Sequence, residues 1–323
     1  MLPPRFPPAA DYAPYKPGPY RLAMGLTPLD LRDWIEPDAR MAAELAAKEQ
    51  LLRERHGDVF IALPEAADSA AEVLELLVSY LPERFPTLYR RVGEQIENRV
   101  TRQQWHVTQH GLHPLDLAGR LVQEDLCLMQ LATDTHQYRL VGASVCFPTR
   151  WRLAEKIGQS LGAIHLPVPD YATQLDSTMD LLFARLKVER PVWRLNWGLI
   201  DNPTLFQPSG HGRRDHNPAV TAHNAGDTLW LRMERQTLRR LPRTGDILFT
   251  IRIYVQPLHE VAANPARAAH LAAAMRALPP KMQTYKSLYP FLDAALQWLV
   301  QIAPTARTDD EDGAGAHAMP SAL

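Results

Sequence analysis

The stretches that decide the fold are Leu229-Trp-Leu-Arg-Met-Glu-Arg-Gln236 and Ile247-Leu-Phe-Thr-Ile-Arg-Ile-Tyr254, joined through Leu241-Pro-Arg-Thr-Gly-Asp246. Both are rich in apolar and β-branched residues, and the turn-rich connection between them is typical of a hairpin. Together with an earlier apolar run, they predict three strands at Val192–Ile200, Thr228–Leu238 and Ile247–Leu258. An antiparallel sheet is therefore the expected centre of the fold.

Further strands and helices are predicted along the chain around this sheet. Apolar runs that begin at Leu126 and Tyr138 are joined by Thr133-Asp-Thr-His and predict a second hairpin. Helical spacing predicts helices at 38–55, 69–81, 151–186, 265–278 and 285–302, and Thr27 before Pro28 predicts the N-cap of another. Mostly antiparallel strands with helices on one side make α+β the expected fold class.

Composition divides the chain into five parts. Seven prolines in the first twenty residues predict an extended arm over 1–24. A mainly helical region at 25–118, a sheet-containing core at 119–258 and C-terminal helices at 259–303 follow. The polar segment 304–323 has too little apolar surface to become ordered, so a disordered and dispensable tail is expected there.

Charge and cysteine content exclude several classes of protein. The 35 Lys+Arg and 36 Asp+Glu residues give a net charge of −1, which favours neither nucleic acid nor an anionic membrane as partner. The two cysteines, Cys127 and Cys146, are too few for an iron–sulfur cluster and lie in apolar runs typical of buried thiols. Without a signal segment or a long apolar stretch, a cytoplasmic protein with no membrane span is expected.

Polar side chains alternate with apolar ones along the three late strands, so that one face of the sheet can carry six of them. They are Arg194, Asn196, Arg232, Glu234, Arg252 and Tyr254. Such a face is either the solvated side of an antiparallel sheet or, because arginine lies beside a carboxylate there, a polarised pocket.

His165 is the candidate metal ligand. It lies at the end of an amphipathic helix, where Pro167 and Pro169 stop the helix and restrict the backbone. A rigid imidazole among apolar neighbours suits an axial ligand of haem iron, and a buried histidine bonded to a carbonyl fits the same pattern.

The remaining motifs point to no other chemistry. Three histidines, at 106, 110 and 113, have a spacing that metal sites use, but Gly111 and Pro114 interrupt any helix there. Three more, at 211, 216 and 223, are predicted to be solvated loop residues. The absence of G-x-S-x-G, P-loop and G-x-G-x-x-G motifs argues against a serine hydrolase, an NTPase and a dinucleotide-binding fold.

Six blocks of the chain, taken together, resemble one known family. They are Trp34-Ile-Glu-Pro-Asp38, Cys146-Phe-Pro-Thr-Arg-Trp151, Gly162-Ala-Ile-His-Leu-Pro-Val-Pro169, Arg194-Leu-Asn-Trp197, Leu231-Arg-Met-Glu-Arg-Gln-Thr-Leu-Arg-Arg-Leu-Pro242 and Phe249-Thr-Ile-Arg-Ile-Tyr254. In this order they resemble the catalytic α subunits of haem-dependent oxidative N-demethylases, the dimethylamine monooxygenases.

The resemblance implies a PAS-like core at 119–258, in which helices and an antiparallel sheet clasp a haem b. His165 matches the proximal ligand of that haem, and Trp197 and Trp230 are expected beside the cofactor. The six polar residues of the late strands are expected on the distal side, where Glu234 would hold a substrate ammonium.

The resemblance also implies an activity and partners. The activity is oxidation of dimethylamine, a small secondary amine, to methylamine and formaldehyde with O2 and NADPH. A reductase subunit with FMN and a 2Fe-2S centre would supply electrons, and a tetrahydrofolate-dependent subunit would take up formaldehyde. Two other functions stay open: a non-enzymatic PAS-type sensor of haem or gas, and a non-haem iron oxygenase with two histidines and one carboxylate.

Overall fold

The structure is a computed structural model, and it describes residues 12–108 and 111–302. Its strands are β1 (Thr27–Pro28), β2 (Phe60–Ala62), β3 (Tyr89–Val92), β4 (Gln95–Asn98), β5 (Gln104–His106), β6 (Asp125–Leu131), β7 (Tyr138–Ser144), β8 (Val192–Ile200), β9 (Trp230–Arg240) and β10 (Ile247–Pro257). Seven strands form one antiparallel sheet in the order β1-β8-β9-β10-β6-β7-β2, and β3, β4 and β5 form a small second sheet.

Twelve α-helices accompany the sheets in the described residues. They are α1 (Met41–Glu54), α2 (His56–Val59), α3 (Ala67–Arg84), α4 (Pro114–Leu121), α5 (Leu161–His165), α6 (Tyr171–Gln174), α7 (Asp176–Arg185), α8 (Ala225–Thr228), α9 (Leu258–Ala262), α10 (Pro265–Ala277), α11 (Pro280–Tyr285) and α12 (Leu292–Ile302). The predicted α+β class is thereby confirmed. None of the described helices is long and apolar enough to cross a membrane.

Local sequence explains where the longer helices begin. At α10, the side chain of Asn264 accepts hydrogen bonds from the backbone N–H groups of Ala266 and Arg267, and Pro265 occupies the first helical position. These are the preferred residue types at an N-cap and at the position after it. By contrast, Thr27 does not cap a helix, because residues 27–28 pair with β8 as the edge strand β1. That expectation was wrong.

Helices cover both faces of the large sheet, which corrects the expectation that they lie on one side. On one face, α1, α3 and α4 share an apolar cluster with Leu128 and Leu248, and α9, α10 and α12 share another with Met233. On the opposite face, α5, α6 and α7 pack with Met129 and Ile247. The candidate site lies on this second face, between the sheet and α5–α7.

Some of the sequence-based expectations fall on residues that the structure does not describe. These are the first eleven residues of the proline-rich arm, the histidine at position 110 and the tail at 304–323. The region at 25–118, expected to be mainly helical, contains α1–α3 and also the five short strands β1–β5.

Candidate functional site

A cavity of about 720 Å³ lies between the sheet and the helices α5–α7. Cofactor pockets commonly have volumes of about 300–1,000 Å³, so this one can hold a large cofactor. Its walls are mostly apolar, with Met129, Phe249, Ile251 and Ile253 from the sheet and Ile164 from the helices. The cavity therefore combines the size and the lining of a buried ligand site.

Residues 14–26, which we call the cover segment, run across the cavity. One end is fixed by Tyr15, which is buried with its ring edge-on to Trp197 at 5.9 Å between centroids. The other end is fixed by the pairing of Thr27 with Trp193 in β8. The cover segment is thus held at both ends and forms part of the cavity wall.

His165 lines the cavity with one ring nitrogen available. The helix α5 begins after Ser160, whose hydroxyl caps the backbone N–H of Ala163, and it ends at His165. Nδ1 of His165 donates to the carbonyl of Leu161 at 2.8 Å, and the ring stacks on Tyr171 at 4.8 Å with planes 13° apart. The tautomer that donates from Nδ1 leaves the Nε2 lone pair free, as a metal-ligating imidazole requires.

Burial also keeps this imidazole neutral. The loss of solvation lowers the pKa of His165 to about 4, with smaller lowering contributions from Lys156 and Arg194. A neutral imidazole binds metals, whereas the protonated form cannot. Both alternatives for His165 thus coexist in one residue, which is bonded to a carbonyl through Nδ1 and able to ligate through Nε2.

Glu234 is the carboxylate of the cavity that has no cationic side chain in ion-pair contact among the described residues. Thr149 donates to its Oε1 at 2.5 Å, and Gln236 and Asn196 donate to its Oε2 at 2.7 and 3.3 Å. The other carboxylate in the lining, Asp125, already accepts two backbone N–H groups at 2.8 and 2.9 Å. Glu234 is consequently oriented by neutral donors and has no direct ion pair among the described residues.

Two cations lie next to this group. Arg194 donates from Nε to Gln236 at 2.7 Å and from Nη1 to the carbonyl of Met24 at 3.4 Å. Lys286 donates from Nζ to Oδ1 of Asn196 at 3.1 Å and to the carbonyl of Trp197 at 2.6 Å. Burial lowers the pKa of Arg194, and it lowers the pKa of Lys286 to about 8.

Arg232 borders the cavity, but its hydrogen bonds are made to the protein itself and hold the fold together. Its guanidinium donates to the carbonyls of Phe147 and Leu205 at 2.7 and 3.0 Å and to the hydroxyl of Thr149 at 2.9 Å. Burial lowers its pKa to about 10, a value at which it is still charged at neutral pH. Arg232 therefore ties two loops to the sheet and orients the hydroxyl that reaches Glu234.

Arg252 and Tyr254 do not share the face of Glu234, so the expectation that all six polar residues lie together was wrong. In the register of the hairpin, Glu234 is opposite Ile253, and Arg252 is opposite Arg235 on the other face. There Arg252 forms ion pairs with Glu44 at 2.7 Å and Asp38 at 2.9 Å. The hydroxyl of Tyr254 donates to Glu36 in the same buried cluster.

The two tryptophans predicted beside a cofactor differ in position. Trp197 borders the cavity at its edge, where Lys286 Nζ lies 5.3 Å from the ring centroid. Trp230 lies outside the lining and borders a second, shallower cavity of about 410 Å³ with Arg40 and Pro203. A contact of Trp230 with a ligand of the main cavity is therefore not supported by its position.

Three lining residues were missed by the sequence analysis. Lys156 donates to the carbonyl of Ile164 at 3.3 Å, His211 packs against Tyr285 at 4.9 Å, and Lys286 follows the short helix α11. These positions come from loops and helix ends, where periodicity carries no information about what a side chain faces. Lysine is scarce in this chain, with six lysines against 29 arginines. This scarcity is a signal that could have drawn attention to Lys156 and Lys286.

The residues present fit an iron held by a macrocycle. Within the described residues, no group of three or more His, Cys, Asp or Glu side chains is placed to hold a metal ion. One neutral imidazole with a free Nε2 in a large, mostly apolar cavity is sufficient for a haem protein, since the tetrapyrrole supplies four further ligands. The geometry thus matches haem binding through Nε2 of His165.

The position of Lys286 predicts an unusual dependence of stability on pH. Its pKa is about 8 in the folded chain and near 10.5 when unfolded, so the unfolded state binds more protons between these pH values. The contribution of Lys286 to the stability of the ligand-free protein therefore rises from pH 8 to 10.5. We expect Lys286→Met to remove this rise and to stabilise the protein at pH 7 by about 2–3 kcal/mol.

Urea unfolding of both chains at pH 7 and pH 10 measures this effect. Taking the difference between wild type and Lys286→Met at each pH cancels the titration of the other groups. If wild type and Lys286→Met had equal free energies of unfolding at pH 7 and at pH 10, Lys286 would not be a buried, charged group.

A comparison with protein-family models gives the same assignment. Residues 25–296 match the family described as haem-dependent oxidative N-demethylase, alpha subunit-like. The match covers the sheet, the cavity, His165 and most of the C-terminal helices. The chain belongs to the haem-dependent oxidative N-demethylase, alpha subunit-like family.

Proposed function

We propose that the chain is the haem-binding, oxygenase subunit of an oxidative N-demethylase that acts on a small secondary amine such as dimethylamine. The sheet and α5–α7 would form the PAS-like clasp, with haem b bound through Nε2 of His165. The observation that carries this proposal is the free Nε2 of a neutral histidine in the cavity that also contains Glu234. Family membership supports haem dependence and oxidative demethylation.

Bound haem would supply O2 activation and one-electron chemistry, which no side chain of this protein provides. The overall reaction balances as dimethylamine, O2, two electrons and two protons giving methylamine, formaldehyde and water. The electrons come from outside the chain, because its two cysteines cannot hold an iron–sulfur cluster. We propose a reductase subunit with FMN and a 2Fe-2S centre that uses NADPH, and a tetrahydrofolate-dependent subunit that takes up the formaldehyde.

The residues of the chain would bind and prepare the amine. A secondary amine is a cation at neutral pH, and the oriented carboxylate of Glu234 provides the counter-charge that a buried ammonium needs. An oxygen of Glu234 can then accept the ammonium proton, which leaves the neutral amine that is easier to oxidise. Apolar walls from Phe249, Ile251 and Ile253 exclude water around the methyl groups.

Two measurements test the proposed function together. The purified protein should show a Soret band with one haem per chain, and with an electron-supplying reductase it should release formaldehyde when a short secondary amine is added. A protein that binds haem and O2 but releases no formaldehyde with any short amine would be a sensor. A protein without a Soret band after haem is supplied would contradict the haem assignment itself.

Glu234→Gln should weaken amine binding and turnover. The amide keeps the shape of the carboxylate but lacks the charge that balances the ammonium, a loss worth about 2–4 kcal/mol, or roughly 30- to 1,000-fold. Amine titration of the haem spectrum and formaldehyde release measure the two effects. Glu155→Gln, an exposed carboxylate change on a neighbouring turn, is the control. Wild-type amine affinity in Glu234→Gln would remove Glu234 from the substrate site.

A further inference from the structure

Arg194 and Lys286 point to a ligand with negative charge. Both line the cavity, and in the described part of the chain neither has a carboxylate oxygen at ion-pair distance. A guanidinium has five N–H donors and an ammonium has three. The bonds of Arg194 to Gln236 and Met24 leave three donors, and the bonds of Lys286 to Asn196 and Trp197 leave one.

These two cations are costly as they stand. Removing a charge from water without an ion-pair partner is unfavourable by several kcal/mol, and the nearby charge of Glu234 offsets only part of this cost. The lowered pKa of each group reflects the same desolvation. An anion bound against them would supply the missing charge and accept the spare donors.

The positions of both groups are fixed before any ligand arrives. Gln236 holds Nε of Arg194 at 2.7 Å, while the carbonyl of Trp197 and the amide of Asn196 hold Nζ of Lys286. Arg194 and Asn196 are two residues apart on the same face of β8, so the two cations converge on one part of the cavity. Such a preformed pair of donors matches carboxylates, which accept hydrogen bonds from guanidinium and ammonium groups.

We propose that Arg194 and Lys286 form a cradle for the two propionate carboxylates of the haem, an inference that rests on the proposed function. The cradle gives Arg194 a different role from the distal one expected from the sequence. Haem is the source of the carboxylates because the cavity that contains the cradle also presents the free Nε2 of His165. The ring would then be oriented at its edge by the cradle and at its iron by His165.

The cradle also links haem binding to amine binding. Asn196 bonds both Glu234 and Lys286, and Gln236 bonds both Glu234 and Arg194. The two cations are therefore close enough to Glu234 to act electrostatically on an ammonium bound there. Without a bound anion the two cations repel an ammonium, and bound propionates would cancel that repulsion. The site next to Glu234 therefore becomes selective for an amine once the carboxylates are in place.

The experiment compares haem with haem dimethyl ester, in which both propionates are esterified and uncharged. Haem-free protein is titrated with each compound, and the dissociation constants are read from the Soret band and from tryptophan fluorescence. Wild-type protein should bind haem about 30- to 100-fold more tightly than the ester. Arg194→Gln and Lys286→Met should each weaken haem binding about 10-fold and leave ester binding unchanged, with Arg152→Gln, an exposed arginine outside the lining, as control.

The outcomes separate the cradle from the proposed function. If wild type binds haem and its ester equally well, or if both variants keep the wild-type ratio, the cradle is wrong and haem binding stands. If neither compound binds, the proposed function itself fails. Misfolding does not explain weaker haem binding by Lys286→Met, because that chain is expected to be the more stable one. Weaker amine binding by ester-loaded than by haem-loaded wild type would further support the cradle.

Discussion

His165→Ala is expected to abolish stoichiometric haem binding while the chain remains folded. The substitution removes the free Nε2 that is assigned to the iron, whereas the Nδ1 contact that it also removes is a single hydrogen bond at the end of the five-residue helix α5. Haem titration followed by the Soret band, with circular dichroism for the fold, measures both parts of the prediction. Because His165 is neutral and already lines a cavity, its loss should cost about 1 kcal/mol, mainly for the lost hydrogen bond.

His211→Ala provides the matched control, since His211 is the other histidine in the lining. It packs edge-on to Tyr285 in a loop and should be dispensable for the iron. Full haem occupancy with an unchanged spectrum in His165→Ala would show that another residue ligates the iron. Loss of haem binding in His211→Ala would identify His211 as that residue.

Arg252→Met is expected to destabilise the fold by about 3–5 kcal/mol without altering the haem spectrum of the protein that remains folded. Arg252 is fully buried between Glu44 and Asp38, so its removal leaves the buried carboxylate of Glu44 without its cationic partner and with only the amide of Gln123 as a donor among the described residues. Urea unfolding gives the stability, and Arg53→Met, whose exposed partner is Glu54, should change it by less than about 1 kcal/mol.

The double variant Glu44→Leu/Arg252→Met refines this test. Replacing both members of a buried ion pair with apolar residues is often neutral, so the double variant should recover part of the lost stability. A catalytic role for Arg252 would give the opposite pattern, with stability retained and formaldehyde release lost.

The contrast between Arg252 and Glu234 shows what periodicity can and cannot predict. Alternation correctly placed Arg252 with Tyr254, and Glu234 with Arg232, on their own strands. It could not say how the two strands align, and the loop at 241–246 sets a register in which Arg240 is opposite Ile247. A shift of one residue in register moves every side chain of a strand to the other face. The predicted placement of Arg252 and Tyr254 on the face of Glu234 was wrong by such a shift.

The strands and the long helices were predictable because their apolar residues repeat with a fixed period. The hairpins at β6–β7 and β9–β10 and the helix α3 agree with the predicted ranges. Lys156 and Lys286 were not predictable, because their exposure depends on how the elements pack and not on their own sequence. His165 could be named as a candidate from its place between an apolar helix and two prolines, and its role as a metal ligand stays a prediction.

The pairing of Thr27 with Trp193 has a consequence for the order in which the molecule is assembled during synthesis. The ribosome delivers the cover segment early, but the strand that fixes its end emerges only after the helices α5–α7 have been made. The mouth of the cavity therefore closes late, after one of its walls already exists. A cofactor taken up on the nascent chain would meet a cleft that the cover segment does not yet border, whereas one offered to the finished protein meets the cavity with this wall in place.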